Sequence, residues 1–307
     1  KILLHIKSDN VPTIPIHNIA EFNSIVQGIH QTTSITRKLA RFGKELTPEQ
    51  RKQWIPLFRG QDFNRFVVQP PEVFERYLNP SHWNESYQGP WIVWRSISRA
   101  TDQFSMIISL LPTNVNFDDS TYGIQCLDTR LIPEALALIG SIPFDFIIKL
   151  FPNPNRTKAQ ITQISIPNYR THYLTQARTI LAQTLVEGKN PSQDQITEID
   201  ALMWCHYTFN RPDLDRDLKE IMTEHYATWK RNNPDQVQQF IKKVWQVRRP
   251  QEQCGYDPTP IFTSRKQNQV TSLKSIQVPN QQTDGNNDKA KPNKKTNQSD
   301  SSRRVAT

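Results

Sequence analysis

Two arginines spaced four residues apart, Arg95 and Arg99, bracket Ser96 and Ser98 directly after the aromatic-rich run Trp91-Ile92-Val93-Trp94. A guanidinium is a planar fork of N–H donors that meets a phosphate or the O6/N7 edge of guanine in a bidentate way, so such a grouping at a strand end suits nucleic-acid contact. The same arginines suit surface ion pairs with Asp102 or Glu85, and composition leaves both readings open. Lys149, Arg156 and Lys158 flank the turn Asn153-Pro154-Asn155 after an apolar segment, in the right order along the chain to line the same groove.

Catalytic groupings are harder to find. Methyl transfer to a base amino group needs a Gly-rich loop that admits S-adenosylmethionine and an Asn/Asp-Pro-Pro-Tyr/Phe loop that holds the extruded base. The nine glycines never fall as Gly-x-Gly, and Asn79-Pro80-Ser81-His82 and Asn153-Pro154-Asn155-Arg156 lack the second proline and the aromatic. Asn-Pro is an ordinary turn signal. Pro212-Asp213 followed by Asp217-Leu218-Lys219 mimics the metal-holding residues of a nuclease. Its spacing is tight and its surroundings helical, which favours a solvated helix face. Seven histidines and three cysteines show no metal-ligand spacing. His206, on the apolar side of its segment, reads as a packed histidine rather than a ligand.

The elements that must carry these residues follow from pattern. The opening reads as extended to about Ile16 and as helical from Asn18 to Gly43, interrupted at Gly28. Thr47-Pro48-Glu49-Gln50 predicts a capped helix ending near Trp54. Strands are expected at Trp91 to Trp94, Phe104 to Ile108 and Tyr122 to Cys126, and a buried helix over Pro133 to Leu150 bent at Pro143. From Tyr169 the pattern turns helical. Ser192-Gln193-Asp194-Gln195 is a second capping box, with Ile196, Ile199, Leu202, Met203 and His206 on one face. A helix is expected over Asp213 to Trp229, and another from Asn233-Pro234, with Val237, Phe240, Ile241 and Val244 inward. Order is expected to fade beyond Pro250.

Several segments, in order, resemble the C-terminal target-recognition region of Taq-type adenine-specific DNA methyltransferases and of type IIG restriction-modification enzymes. Pro56-Leu57-Phe58-Arg59-Gly60-Gln61-Asp62-Phe63-Asn64-Arg65-Phe66 is similar to the family's entry segment, and Trp94 to Asp102 resembles its aromatic-Arg stretch with a second Arg and a small-Thr-Asp ending. Phe104 to Pro112 looks like the apolar strand ending in proline. Leu136 to Phe146 resembles the leucine-rich helix with an aromatic-Asp-aromatic end, Ile161 to Pro167 the closing Ile-Pro strand, and Glu198-Ile199-Asp200-Ala201-Leu202 a later helix. The likeness covers roughly residues 50 to 225 and departs at Pro143 and at Asn153-Pro154-Asn155-Arg156. It implies double-stranded DNA as partner, with Arg59, Arg65, Arg95, Arg99, Lys149, Arg156 and Lys158 as DNA contacts. It also implies a catalytic methyltransferase domain upstream in the same polypeptide, which would bind S-adenosylmethionine. No catalytic, cofactor or metal residue is assigned within this chain.

Bulk properties agree with a non-secreted protein. The net charge is +9, but residues 265–307 hold nine Lys or Arg against three Asp, so the rest is only mildly basic at +3. Widely spaced cysteines fit reduced thiols in a bacterial or archaeal cytoplasm. No apolar run approaches a membrane span. The first residue, Lys rather than Met, suggests a trimmed chain or a fragment. The expected fold is α+β: a helical lead-in over 1–54, a mixed target-recognition domain with a small sheet and buried helix over 55–168, a helical region over 169–250, and a mostly disordered basic tail over 251–307. The alternative function is a non-catalytic helical scaffold whose basic tail touches nucleic acid weakly.

Overall fold

The computed structural model describes residues 11–28, 40–68, 75–80, 90–98, 102–111, 113, 115–151, 156–186 and 188–265. The chain enters through β1 (Thr13–Pro15), β2 (Val26–Gln27) and β3 (Ala40–Phe42). The helix expected between Asn18 and Gly43 is not formed in the described part of that stretch, which holds a 3-10 turn at Ile16–Asn18 and the two strands β2 and β3. Tertiary pairing overrides local preference here. Ile16 donates to the Ile164 carbonyl, Ala20 to Thr263 and Asn23 to Gln125, while Ile14, Ile16, Ile19, Phe22 and Ile25 are buried. Among its described residues the lead-in therefore contributes one short α-helix, α1 (Pro48–Gln53), with the expected capping box: Thr47 Oγ1 accepts from Gln50 N at 3.2 Å, and Gln50 Oε1 from Thr47 N at 3.0 Å.

Next come β4 (Ile55–Phe58), the hairpin strands β5 (Phe63–Asn64) and β6 (Val67–Val68), β7 (Arg76–Leu78), β8 (Trp91–Arg95), β9 (Ile108–Leu111), β10 (Asn116–Phe117) and β11 (Thr121–Gln125). One four-stranded sheet has the order β10-β4-β7-β3 and another β2-β11-β8-β9. In the second, β8 is antiparallel to both neighbours, with Trp94 opposite Tyr122 and Ile108. Its unbroken apolar run is explained by covering on both faces. Ile92 and Trp94 join the main core, and Trp91 and Val93 a smaller one with Phe58, Phe63, Leu111 and Phe117. The strand expected at Phe104 to Ile108 lies later, at Ile108–Leu111, because Ser105 and Met106 are held by side chains rather than by a neighbouring strand: the Ser105 carbonyl accepts from Arg156, and Met106 N–H donates to Asp145.

The buried helix is two helices, α2 (Ile132–Gly140) and α3 (Ile142–Lys149), bent by 49° between them. Ser141 between them is extended, and Pro143 takes a first-turn position where its missing N–H costs nothing. Then come α4 (Lys158–Thr162) and β12 (Ser165–Pro167), which pairs antiparallel with β1. The helical region holds α5 (His172–Val186), α6 (Gln193–Tyr207), α7 (Leu218–His225), α8 (Ala227–Asn232) and α9 (Pro234–Val247). The Ser192 capping box and the apolar face of α9 match expectation. The helix expected over Asp213 to Trp229 is instead a 3-10 turn at Pro212–Asp215, α7 and α8. It breaks where Tyr226 leaves helical angles, its ring buried and its hydroxyl donating to the Ile142 carbonyl.

Residues 251–265 correct the expectation that order fades at Pro250. Asn168 bonds Phe262 twice, Asp257 pairs with Arg170, and Arg265 donates to the Ile19 and Phe22 carbonyls, so this segment closes the fold against the first strands. The tail from 266 onward lies outside the described residues. The fold is α+β, as expected, with its main core between the β2-β11-β8-β9 sheet and helices α2, α3, α5 and α6. Among the described residues no single helix is long and apolar enough to cross a membrane; the apolar pair α2 and α3 is buried in the core.

Candidate functional site

The segment 56–66 makes most of β4, a 3-10 turn, β5 and the turn into β6; the segment that begins at Trp94 makes the end of β8 and the residues directly after it. The fold brings them into contact. Gly60 N donates to Ser120 Oγ at 2.8 Å, and a Cβ at Gly60 would lie 3.4 Å from Arg95 Cγ. Arg95 donates to the Phe63 carbonyl at 2.6 Å and to Asn64 Oδ1 at 3.3 Å. Phe66 N–H donates to the Ile108 carbonyl, and the Phe66 ring lies against Gly140, where a Cβ would come within 2.5 Å of it. Trp94 Nε1 donates to the Arg156 carbonyl, and Arg156 N to Ser96 O.

These contacts occupy most of the cations expected to face DNA. Arg59 is ion-paired with Asp62 at 3.0 Å and Glu75 at 2.9 Å; burial pulls its pKa down, but the two carboxylates outweigh it and the net shift is upward. Arg95 is half-buried, its pKa lowered by burial against the pull of Asp102 and Asp62. Arg156 is only 5% exposed, its Nε 3.4 Å from the Ser105 carbonyl, and burial lowers its pKa as well. Arg65 is 6% exposed and ion-paired with Asp200 on α6. Arg65 and Arg156 are thus corrected from surface contacts to interior residues, because each anchors its backbone segment to a neighbouring element. Lys149 is half-buried, with Nζ 4.9 Å from the centre of the Tyr226 ring, and Lys158 is exposed at the start of α4. Arg99 lies outside the described residues.

A cleft of 430 Å³ opens beside the hairpin. Asn64 and Arg65 come from the β5–β6 hairpin and Asp102 and Phe104 from the stretch before β9; Thr197 and Asp200 come from α6, and Trp229, Gln236 and Phe240 from α8 and α9. Arg65 stacks over Phe104 at 4.3 Å, and its Nε and Nη1 are buried without a hydrogen-bond partner. Beneath lies an acid pair that sequence reasoning did not single out as a site. Asp200 accepts from Ile142 N at 3.0 Å, and burial raises its pKa against the opposing pull of Arg65. Asp145 accepts from Met106 N at 2.5 Å, and burial raises its pKa against Lys149 and that N–H. The available signal was a lone carboxylate inside an apolar run, Phe144-Asp145-Phe146-Ile147, since a buried carboxylate requires dedicated partners. Among the described residues no group of three or more His, Cys, Asp or Glu could hold a metal ion. Pro212-Asp213 and Asp217-Leu218-Lys219 lie on a 3-10 turn and the start of α7, and the Asp213 carboxylate is taken by Arg211 at 2.6 Å.

Compared with known proteins, the chain matches no family model and no curated protein.

Proposed function

We propose that this chain is the DNA target-recognition part of an adenine-specific methyltransferase or type IIG restriction-modification enzyme. The observation that carries this reading is spatial: the described parts of segments whose order resembles that family, at 56–66, 94–102, 104–112, 136–146 and 161–167, pack against one another. Arg95 reaches Phe63, Phe66 joins Ile108 to Gly140, and α2 lies against β12. Lys158, Lys149 and the remaining donors of Arg95 are the candidates for phosphate and base-edge contacts. S-adenosylmethionine, supplying the methyl group, belongs to a catalytic domain upstream in the same polypeptide, and no residue of this chain is assigned to it.

One observation favours a second reading, a non-catalytic scaffold module: Arg59, Arg65 and Arg156 spend donors on the protein's own groups. The two readings separate in a duplex-binding assay across salt concentrations, using the full chain, a chain ended after Arg265, and Lys158→Glu. Target recognition predicts sequence-selective, salt-sensitive binding that survives removal of 266–307 and weakens in Lys158→Glu. Binding lost entirely with the tail, or no selectivity among duplexes, would sink it.

A further inference from the structure

Three cations converge on residues 42–44, where β3 ends. Phe42 stands opposite Arg76 in the antiparallel pairing of β3 with β7, and the Arg76 guanidinium lies 4.8 Å from the centre of the Phe42 ring. Lys44, in the 3-10 turn that follows β3, brings Nζ to 5.6 Å from the same ring. Arg51, in the last turn of α1, donates from Nε to the Gly43 carbonyl at 2.6 Å, which fixes one edge of its guanidinium. Strand, turn and helix close this tightly because position 43 is glycine: a Cβ there would lie 2.9 Å from the Tyr77 ring.

Like charges gathered in one place repel, and an aromatic ring attracts each cation at an exposed site by only about 0.5–1 kcal/mol. Among the described residues none of the three cations is ion-paired. The carboxylates beside them are turned to other donors: Glu45 accepts from Phe42 N–H at 3.3 Å, and Glu75 holds Arg59 at 2.9 Å. Residues 40–54 hold four Lys or Arg against Glu45 and Glu49, which is two of the three net positive charges of residues 1–264. Phe42 is 38% exposed, and with two cations over its ring it holds charge rather than offering an apolar face to a protein or a lipid. Cations set apart on a strand, a turn and a helix suit a polyanion whose own charges are spaced, as phosphates are along a nucleic-acid backbone.

We propose that Lys44, Arg51 and Arg76 form a backbone clamp for double-stranded DNA, meeting its phosphates without reading its bases. The choice of occupant rests on the duplex-binding reading above, whereas the surface itself includes none of the cations named there.

Salt dependence tests the clamp, because each phosphate contact releases counterions and adds about 0.9 to the slope of log affinity against log salt. The full chain is titrated with two duplexes of unrelated sequence between about 50 and 200 mM salt. Lys44→Gln should lower the slope by about 0.9 and the double variant Lys44→Gln/Arg51→Gln by about 1.8, with low-salt affinity about tenfold weaker in the double variant for both duplexes alike. Lys219→Gln/Lys242→Gln, which removes the same charge from exposed positions on α7 and α9, should leave the slope unchanged. An unchanged slope in the Lys44 variants, while Lys158→Glu still weakens binding, overturns the clamp and leaves the duplex reading standing. An equal fall in the Lys219/Lys242 pair makes the effect one of net charge and overturns the clamp as well. Absence of duplex binding by the wild-type chain sinks both together. Lys44 is exposed, so its single variant keeps the test decisive even if the double variant fails to fold.

Discussion

His206 is fully buried on α6, with Nδ1 2.9 Å from Thr171 Oγ1 and Nε2 unpartnered. Burial disfavours the imidazolium and pushes its pKa down to about 3, so it packs as a neutral ring against Tyr169. A base with a depressed folded pKa stabilises fully above its unfolded value, near 6.5, and that stability is lost as pH falls through the folded value. Between pH 7 and pH 4 we expect wild type to lose up to roughly 3 kcal/mol more than His206→Gln in urea unfolding, because only wild type must protonate on unfolding. Equal pH slopes in the two proteins would remove this assignment. Asp118 works in the opposite sense: burial raises its pKa to about 6 against the Ser120 hydrogen bonds, so its contribution is greatest below its unfolded value and is lost as pH rises through 6. At Arg65 and Asp200 the charges are worth little as a pair, yet removing either alone strands the other in the interior.

Between elements, one close junction joins the β5–β6 hairpin to the end of α2. Its turn is Arg65-Phe66, and the cost of the left-handed Phe66 is offset by ring burial against Gly140 and Ile108. Gly140 is required by this approach, since an added Cβ would stand 2.5 Å from one Phe66 ring carbon and 2.7 Å from Ile108. Gly140→Ala should gain helix propensity of about 1 kcal/mol and still lose stability by roughly 1–3 kcal/mol from overpacking. Calorimetry showing an unchanged or raised melting temperature would mean that the hairpin does not seat on α2. The break between α2 and α3 follows from Pro143, whereas its 49° angle is set by what each half packs against.

Across the whole molecule, residues 251–265 tie the end of the last helix to Ile19–Phe22, between the first two strands, and bury Cys254, Ile261 and Phe262. A chain ended after Arg265 should unfold at the same urea concentration as the full chain. One ended after Pro250 forfeits burial of an Ile and a Phe and leaves the Asn168 amide unpaired, a loss of about 3–6 kcal/mol. Identical midpoints for these two truncations would show the return segment to be dispensable. Its few apolar residues, Ile261 and Phe262, were too sparse in a polar stretch to predict ordering from sequence. Elements with a local cause were legible in the order of residues alone: the Thr47 and Ser192 capping boxes, the Trp91 to Trp94 strand, the helix break at Pro143 and the apolar stripe of α9. Contacts distant along the chain settled the remainder. In the described part of 18–43, backbone pairing stands where the opening helix was expected, because its partners, Ile164, Thr263 and Gln125, lie between about 100 and 243 residues away in the chain. Arg65 and Arg156 turned inward for the same kind of reason, since a cation's direction depends on which carboxylate or carbonyl the fold brings to it, and Asp200 and Ser105 are remote in sequence.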